Sequence, residues 1–446
     1  MNNLKSWQNF LAEQALEFEL NDREFAVLTT KFGDLNLHLS DSNTLDLLDS
    51  LHITKDTYVK TKGAVYKKFA CSSKGRNALN QTHSAKVLHD CLRAKYQSWL
   101  DSYNPRDRDR YYISRCFESD CYRELKQSNA FVRVKAPQKM GKTLLLKRVL
   151  KELNRKGYTT LRYDFALGEA EIFSDYQRFI GSFCAGISEI LGIEDRSAEL
   201  WSDRLGVNQN ATKYFDRYLL PQVNRPLVLG LDGLDRVLGH QVTAPNFCSL
   251  LRAWHDKNRA LWDNLRLIVV HSTEVYSQSG LNINNSPLAG IGKVVRLTPF
   301  NRKQVEILAQ RYGLSLTVEE LSGLMNLMGG HPYLIRVSLE YMARQDRHQK
   351  YNPNDRLSWQ EFFQLAPTDE SLFINHLLAL TECLQQDSEL ANAFAEVVCS
   401  DEPIPLPSKI GFKLLSLSLV GIAENNYFPM CDLCRQYFLT HIDELR

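Results

Sequence analysis

Long hydrophobic runs are missing from this sequence of 446 residues. The longest candidate, Leu414 to Ile422, reaches about half of the roughly 18 residues a membrane span needs, and it carries serines. No membrane partner is expected. Charge of one sign is missing too: the formal net charge is +2, which by itself argues for no nucleic-acid partner. Ten cysteines are scattered, with one close pair, Cys431 and Cys434. That usage fits reduced thiols rather than a disulfide framework. No secretory leader is read at Met1-Asn2-Asn3, and no internal repeat or low-complexity segment is found. These absences lead to the expectation of a soluble, cytoplasmic protein. With 44% hydrophobic and 24% charged residues the chain can bury a core, and its length suggests about two to four domains.

Composition divides the chain. Residues 1–50 carry nine acidic and three basic side chains, whereas 54–76 carry seven basic ones (Lys55, Lys60, Lys62, Lys67, Lys68, Lys74, Arg76) against Asp56. Such a stretch is either a polyanion contact or a solvated helix face. Residues 1–75 read as short helices. Residues 76–110 read as a helix and a charged linker, the linker (101–110) having a proline and no apolar periodicity. In 111–300, apolar strand-like runs alternate with helical patterns. The runs are Phe131–Lys135, Thr159–Asp164, Leu227–Asp232, Leu265–His271 and Lys293–Leu297. Short apolar runs separated by helices predict βαβ units, a parallel sheet and an α/β fold. Residues 301–446 read as mainly helical with one late hairpin.

The strongest local signal is Ala136-Pro137-Gln138-Lys139-Met140-Gly141-Lys142-Thr143, set between the strand Phe131–Lys135 and a helix predicted over Leu144–Asn154. Strand, loop and helix form the setting of a Walker A phosphate loop. Backbone N–H groups of such a loop curl around phosphate oxygens, and the helix N-terminus adds its positive end. Lys142 brings a charge to the β- and γ-phosphates. The hydroxyl of Thr143 suits Mg²⁺. The expected cofactors are ATP or ADP with Mg²⁺. Ala136 replaces the first glycine of the usual pattern, which matters little if its φ stays negative.

The run Pro226-Leu227-Val228-Leu229-Gly230-Leu231-Asp232 reads as a Walker B strand, with Asp232 holding Mg²⁺ at its carboxyl end. Gly233 follows, where hydrolysing enzymes of this architecture usually place a glutamate to activate water. Asp235 is the nearest substitute. ATP binding with slow hydrolysis is therefore expected, and Gly233→Glu is expected to raise hydrolysis. Ser272 and Thr273, after the strand Leu265–His271, would face the γ-phosphate or simply end the strand.

Read in order, Tyr111-Tyr112-Ile113-Ser114-Arg115, Lys135 to Thr143, Leu231-Asp232, Val270 to Tyr276 and Gly329-Gly330-His331-Pro332-Tyr333-Leu334 resemble the bacterial AAA-like domain of the STAND class, the signal-transduction ATPases that include NLR-type immune switches. The resemblance covers Tyr111 to about Arg446. It implies an α/β P-loop NTPase with an ASCE-type parallel sheet over 111–300, a helical lid over 301–365 and a winged helix over 366–446. It also implies that Arg115 meets the nucleotide and that Pro332 lies against adenine. In such switches ADP holds a closed state and ATP exchange releases an oligomer. Gly233 and Cys116 stand where this pattern usually has glutamate.

The lid is also legible directly. Thr317-Val318-Glu319-Glu320 is a capping box opening a helix that ends at Gly329-Gly330. Pro332 suits the first turn of the next helix, which explains it without adenine. Beyond, helices are predicted at 371–384, 388–399 and 408–418. A hairpin of Ile422–Glu424 and Tyr427–Met430 turns at Asn425-Asn426, and a last helix runs over 432–445. The hairpin carries no lysine or arginine, which argues against DNA reading there. Cys431 and Cys434 read as ordinary thiols, since a zinc site wants a second such pair or added histidines.

Residues 20–70 resemble the helix-turn-helix at the head of some STAND conflict proteins, giving an all-α N-terminal domain over 1–75. Its helices would be Asn21–Phe32, Ser42–Leu51 and a recognition helix Thr54–Ala70 capped by Thr54. Tyr58, Val65 and Phe69 share one face; Lys60, Lys67 and Lys68 lie opposite with Thr57 and Thr61. Those lysines suit phosphates and the threonines base edges, although no arginine is present to read guanine. The sequence thus leads to an ATP-binding, STAND-like signalling switch of a bacterial defence or conflict system. It would form a homo-oligomer in the ATP state and act with a separate effector or sensor protein, since no effector constellation is visible. The alternative is a DNA-binding AAA-type regulator of transcription or of a mobile element.

Overall fold

Aliphatic and β-branched side chains need two covered faces, and in the computed structural model five such runs form one parallel sheet. The structure describes residues 11, 14, 20–32, 54–70, 88, 92, 111–256, 262–272, 288, 290–348 and 358–445. The strands are β1 (Phe131–Lys135), β2 (Thr159–Asp164), β3 (Leu227–Asp232), β4 (Leu265–His271) and β5 (Lys293–Arg296), in the order β2-β3-β4-β1-β5. The fifth ends one residue earlier than the apolar run, at Arg296. All pairs are parallel, with Asp164 beside Asp232 and Lys135 beside His271. The carboxyl ends of β1, β3 and β4 therefore meet along one edge, where open α/β sheets bind their ligands.

The chain divides into two compact units, residues 1–119 with 306–315, and 120–305 with 316–446. In the second unit the sheet is covered on one face by the helix Lys142–Arg155, which buries Leu145, Leu146, Val149, Leu150 and Leu153. Gly230 allows this approach: a Cβ there would stand 2.8 Å from a Leu150 methyl. The other face carries an aromatic core in which Phe165, Phe183, Phe215, Phe247 and Trp254 stack or meet edge to face.

The C-terminal part of this unit is helical with one antiparallel hairpin. Thr317 accepts from the Glu320 amide and Glu320 from that of Thr317, and Gly329 closes the helix Val318–Met328 in the left-handed conformation (φ 58°). Pro332 opens the helix Pro332–His348. The helix expected at 371–384 runs Ile374–Gln385, because the Ser371 hydroxyl takes the Phe373 amide and delays the start. Ser388–Cys399 is as expected, and Ser408–Ser416 stops two residues short.

The hairpin pairs β6 (Val420–Ala423) with β7 (Asn426–Pro429), one register step before the sequence reading. Glu424 and Asn425 both have positive φ (50° and 70°), which a tight hairpin turn requires, so they and not Asn425-Asn426 form the turn. The last helix breaks into Asp432–Thr440 and Ile442–Leu445 at His441, whose backbone amide (3.2 Å) and ring Nδ1 (2.9 Å) both bond the Tyr437 carbonyl.

In the first unit, Asp22–Phe32 and Lys55–Ala70 are helices. Thr54 caps the second, accepting from the Thr57 amide at 3.3 Å, and Tyr58 and Val65 are buried. The helix expected over Ser42–Leu51, the Phe69 side chain and the linker 101–110 lie outside the described residues.

Candidate functional site

Residues 136–143 leave β1 as a loop and enter the helix Lys142–Arg155. The loop turns on two left-handed residues, Lys139 (φ 57°) and Gly141 (φ 91°), while Ala136 is not among the positive-φ residues. Alanine thus fits where glycine is usual. Gly141 brings no capping side chain, so the start of the helix faces the loop with its own amides. Lys142 Nζ donates to the carbonyls of Ala136 (2.9 Å) and Pro137 (2.6 Å).

Burial pushes the Lys142 ammonium down to about 8, against the pull of Asp235 and Asp232. A phosphate beside it favours the charged form again. Since the free protein then holds fewer protons than the complex around pH 8, where the nucleotide's terminal phosphate is already ionised, nucleotide binding is expected to take up about half a proton at pH 8. Calorimetry in two buffers of different ionisation heat checks this. Equal heats at pH 8 would mean that Lys142 does not meet the phosphate.

Thr143 and Asp232 come together as expected: the hydroxyl donates to Asp232 Oδ1 at 3.0 Å. Their oxygens are the hard donors that Mg²⁺ takes, so the pair fits that ion. The second oxygen, Asp232 Oδ2, accepts from Arg162 Nε at 2.8 Å, and the same guanidinium reaches Asp164. The sequence reading gave neither Arg162 nor Asp164 a role at the site.

Asp235 lies in the site beside Ser272 rather than open to solvent. Its Oδ1 accepts from the Ser272 amide (2.7 Å) and its Oδ2 from the Ser272 hydroxyl (3.1 Å). Burial raises its carboxyl above the ordinary range, opposed by those two bonds and by Lys142. Both oxygens of Asp235 are thus engaged by Ser272 at the tip of β4. Ser272 in turn is fixed at the tip of β4. Thr273 and Glu274 lie outside the described residues.

A cavity of about 810 Å³ opens here, with Lys142, Asp235 and Ser272 on one wall and Lys409, Lys413 and Ser416 on the other. That volume suits a small-molecule site. The far wall was not foreseen from sequence. Its helix is bonded to the phosphate loop: the Gln138 amide donates to the Ser416 carbonyl (2.9 Å), and the Ser418 hydroxyl to the Gln138 carbonyl (3.2 Å). Lys139 lies 2.8 Å from His376 Nδ1 and over the Tyr333 ring. Met140 is buried, and Pro332 follows His331, whose ring burial holds down to about 3 with His376 and Lys139 close by.

Other expected residues belong to the first unit. Arg115 is buried there, its amide donating to Glu118 (2.9 Å) and its guanidinium over Phe117. On the helix Lys55–Ala70, Lys60 and Lys67 are exposed, but Lys68 pairs with buried Glu24 at 2.6 Å and so serves the packing of its own unit. The hydroxyls of Thr57 and Thr61 are also engaged locally, with Thr54 and with the Thr57 carbonyl.

A parallel five-stranded sheet with helices, a phosphate loop after β1 and an aspartate closing β3 define an α/β P-loop NTPase. Residues 102–440 match the AAA-like domain family, and the chain belongs to it. No curated protein matches. Among solved structures, a Walker-type ATPase of Pyrococcus abyssi is 14% identical, with a TM-score of 0.48 over 75% of this chain and 95% of that one. The Aeropyrum pernix ORC2 protein in ADPNP–ADP complexes is 14% identical, at 0.45 over 76% and 98%. The Thermotoga maritima RuvB Holliday junction branch migration motor is 13% identical, at 0.37 over 70% and 90%. Likenesses of this size say nothing about what the chain acts on. Among the described residues, no helix is long and apolar enough to cross a membrane.

Proposed function

We propose that this chain is an ATP-gated switch of the STAND type, in which nucleotide at residues 136–143 controls whether the C-terminal helices stay on the phosphate loop. The observation that carries this reading is the bond from the Gln138 amide to the Ser416 carbonyl. A loop amide of the kind that cradles phosphate is held by a segment far along the chain, so a change at the loop is felt directly by that segment. Lys139 with His376 and Tyr333 adds a second tie.

In this reading ATP or ADP lies in the cavity, with Mg²⁺ on Thr143 and Asp232. Ser272 and Thr273 face the γ-phosphate and Pro332 lies against adenine. Residues 301–365 act as lid and 366–446 as a winged helix. The N-terminal helices form a helix-turn-helix that recruits a partner, a sensor or effector of a bacterial defence system, and ATP exchange produces a cytoplasmic homo-oligomer.

The test is particle size by light scattering. The full chain is expected to stay small with ADP and to assemble with a slowly hydrolysed ATP analogue. His376→Ala, which removes a tie without touching the loop, is expected to assemble at lower analogue concentration. A size that no nucleotide changes would sink the switch. Duplex binding that weakens with salt and falls on replacing Lys60 and Lys67 would favour the alternative, a DNA-binding AAA-type regulator.

A further inference from the structure

Arg162 occupies the middle of β2, opposite Gly230, and Asp164 stands opposite Asp232. Parallel register puts all four on one face of the sheet, so the arginine side chain passes over the glycine and reaches the end of β3. There its Nε and a terminal nitrogen both lie 2.8 Å from Asp232 Oδ2, and that nitrogen also bonds Asp164 Oδ2. Asp232 is almost wholly buried, its side chain 5% exposed, against 27% for Arg162. Its other oxygen is taken by Thr143. Every oxygen of the aspartate is thus partnered by the protein itself.

A buried carboxylate needs a counter-charge. In a P-loop site of this kind Mg²⁺ is the usual cation beside that aspartate. Here a guanidinium already stands on it. Resting on the phosphate-site reading above, we propose that Arg162 is the resident counter-ion of Asp232 and makes nucleotide binding by this chain independent of magnesium. Without Arg162, Asp232 and Asp164 stand side by side at the ends of β3 and β2 with no guanidinium between them; Lys142 is the lysine that feels Asp232, while Lys139, Lys409 and Lys413 line the cavity. With it, that pair of carboxylates carries its own cation before any metal arrives. Asp164 gives the guanidinium a second acceptor, so a metal at Thr143 and Asp232 can enter when the arginine moves toward Asp164, and the site accepts both states. Planar, permanently charged arginine suits this bridging of two carboxylates in a way lysine does not.

The experiment is calorimetric titration of the full chain with ADP, once in Mg²⁺ and once in EDTA. Wild-type affinity is expected to differ by less than about threefold between the two, and that of Arg162→Gln to fall by about tenfold or more in EDTA and recover in Mg²⁺. Thermal unfolding of Arg162→Gln without nucleotide adds a readout that a merely structural role would not move. Mg²⁺ alone is expected to raise its midpoint and to leave the wild type unchanged, because the ion takes the vacated place on Asp232. If Arg162→Gln does not fold, Arg162→Lys serves, with an intermediate dependence on the metal. Wild-type binding lost in EDTA would overturn the proposal and leave the phosphate site standing. Wild-type protein that binds ADP in neither condition would overturn the phosphate-site reading itself.

Discussion

Under saturating Mg-ATP the protein is expected to release phosphate at on the order of 10⁻² s⁻¹ or less. Enzymes commonly turn over at roughly 1–10³ s⁻¹, and a positioned general base contributes about 10²–10⁴-fold. The position after Asp232 is Gly233, which offers no base. Asp235 is engaged by Ser272 through both oxygens. The sequence suggested that Gly233→Glu would raise hydrolysis, and the backbone turns that expectation round. Gly233 has φ 72°, a conformation that costs a side-chain-bearing residue about 1–2 kcal/mol. A Cβ there would also stand 4.0 Å from Asp164 Oδ1, bringing the new carboxylate beside an old one. The variant is expected to melt at lower temperature and to hydrolyse no faster. Steady-state phosphate release from both proteins decides the matter. Wild-type turnover of several per second, abolished by Asp232→Ala, would place the base elsewhere and end the account of a slow switch.

Lys142→Ala is expected to weaken ATP binding at least tenfold. A charge-assisted contact to phosphate is worth about 1.5–3 kcal/mol. The lower end is expected, because the ammonium already donates to the Ala136 and Pro137 carbonyls and exchanges those bonds for phosphate oxygens. Calorimetry on folded protein measures the loss. Unchanged affinity would remove residues 136–143 from the nucleotide site.

What could be read from the sequence was whatever depends on near neighbours along the chain. The five strands, the loop between β1 and its helix, the capping box at Thr317 and the glycine stop at Gly329 all follow from local pattern. The pairing of Thr143 with Asp232 followed from two motifs read together. The far wall of the cavity did not, since Ser416, Ser418 and His376 carry no motif and meet the loop through the fold alone. Arg162 was more nearly legible. It stands two residues before Asp164 on the same face of a strand, and a charged pair inside a strand next to an aspartate-ended one asks for a partner. Its partner was fixed only by the strand order, which puts β2 beside β3. Lys68 shows the opposite error: a helical wheel places it outward, but Glu24 of another helix claims it.

Lys139 carries the loop through a left-handed turn that an L-residue adopts at a penalty of about 1–2 kcal/mol. Its ammonium is held at the same time by His376 and by the Tyr333 ring. Part of the favourable energy of the C-terminal contacts thus goes into keeping the loop bent, in the manner of a latch closed against a spring. If the proposed switch opens and those helices leave, Lys139 would lose its contacts with His376 and Tyr333 and the loop could relax. The return step would then bend it again, so in the proposed switch release would be assisted by the loop and re-closure would work against it.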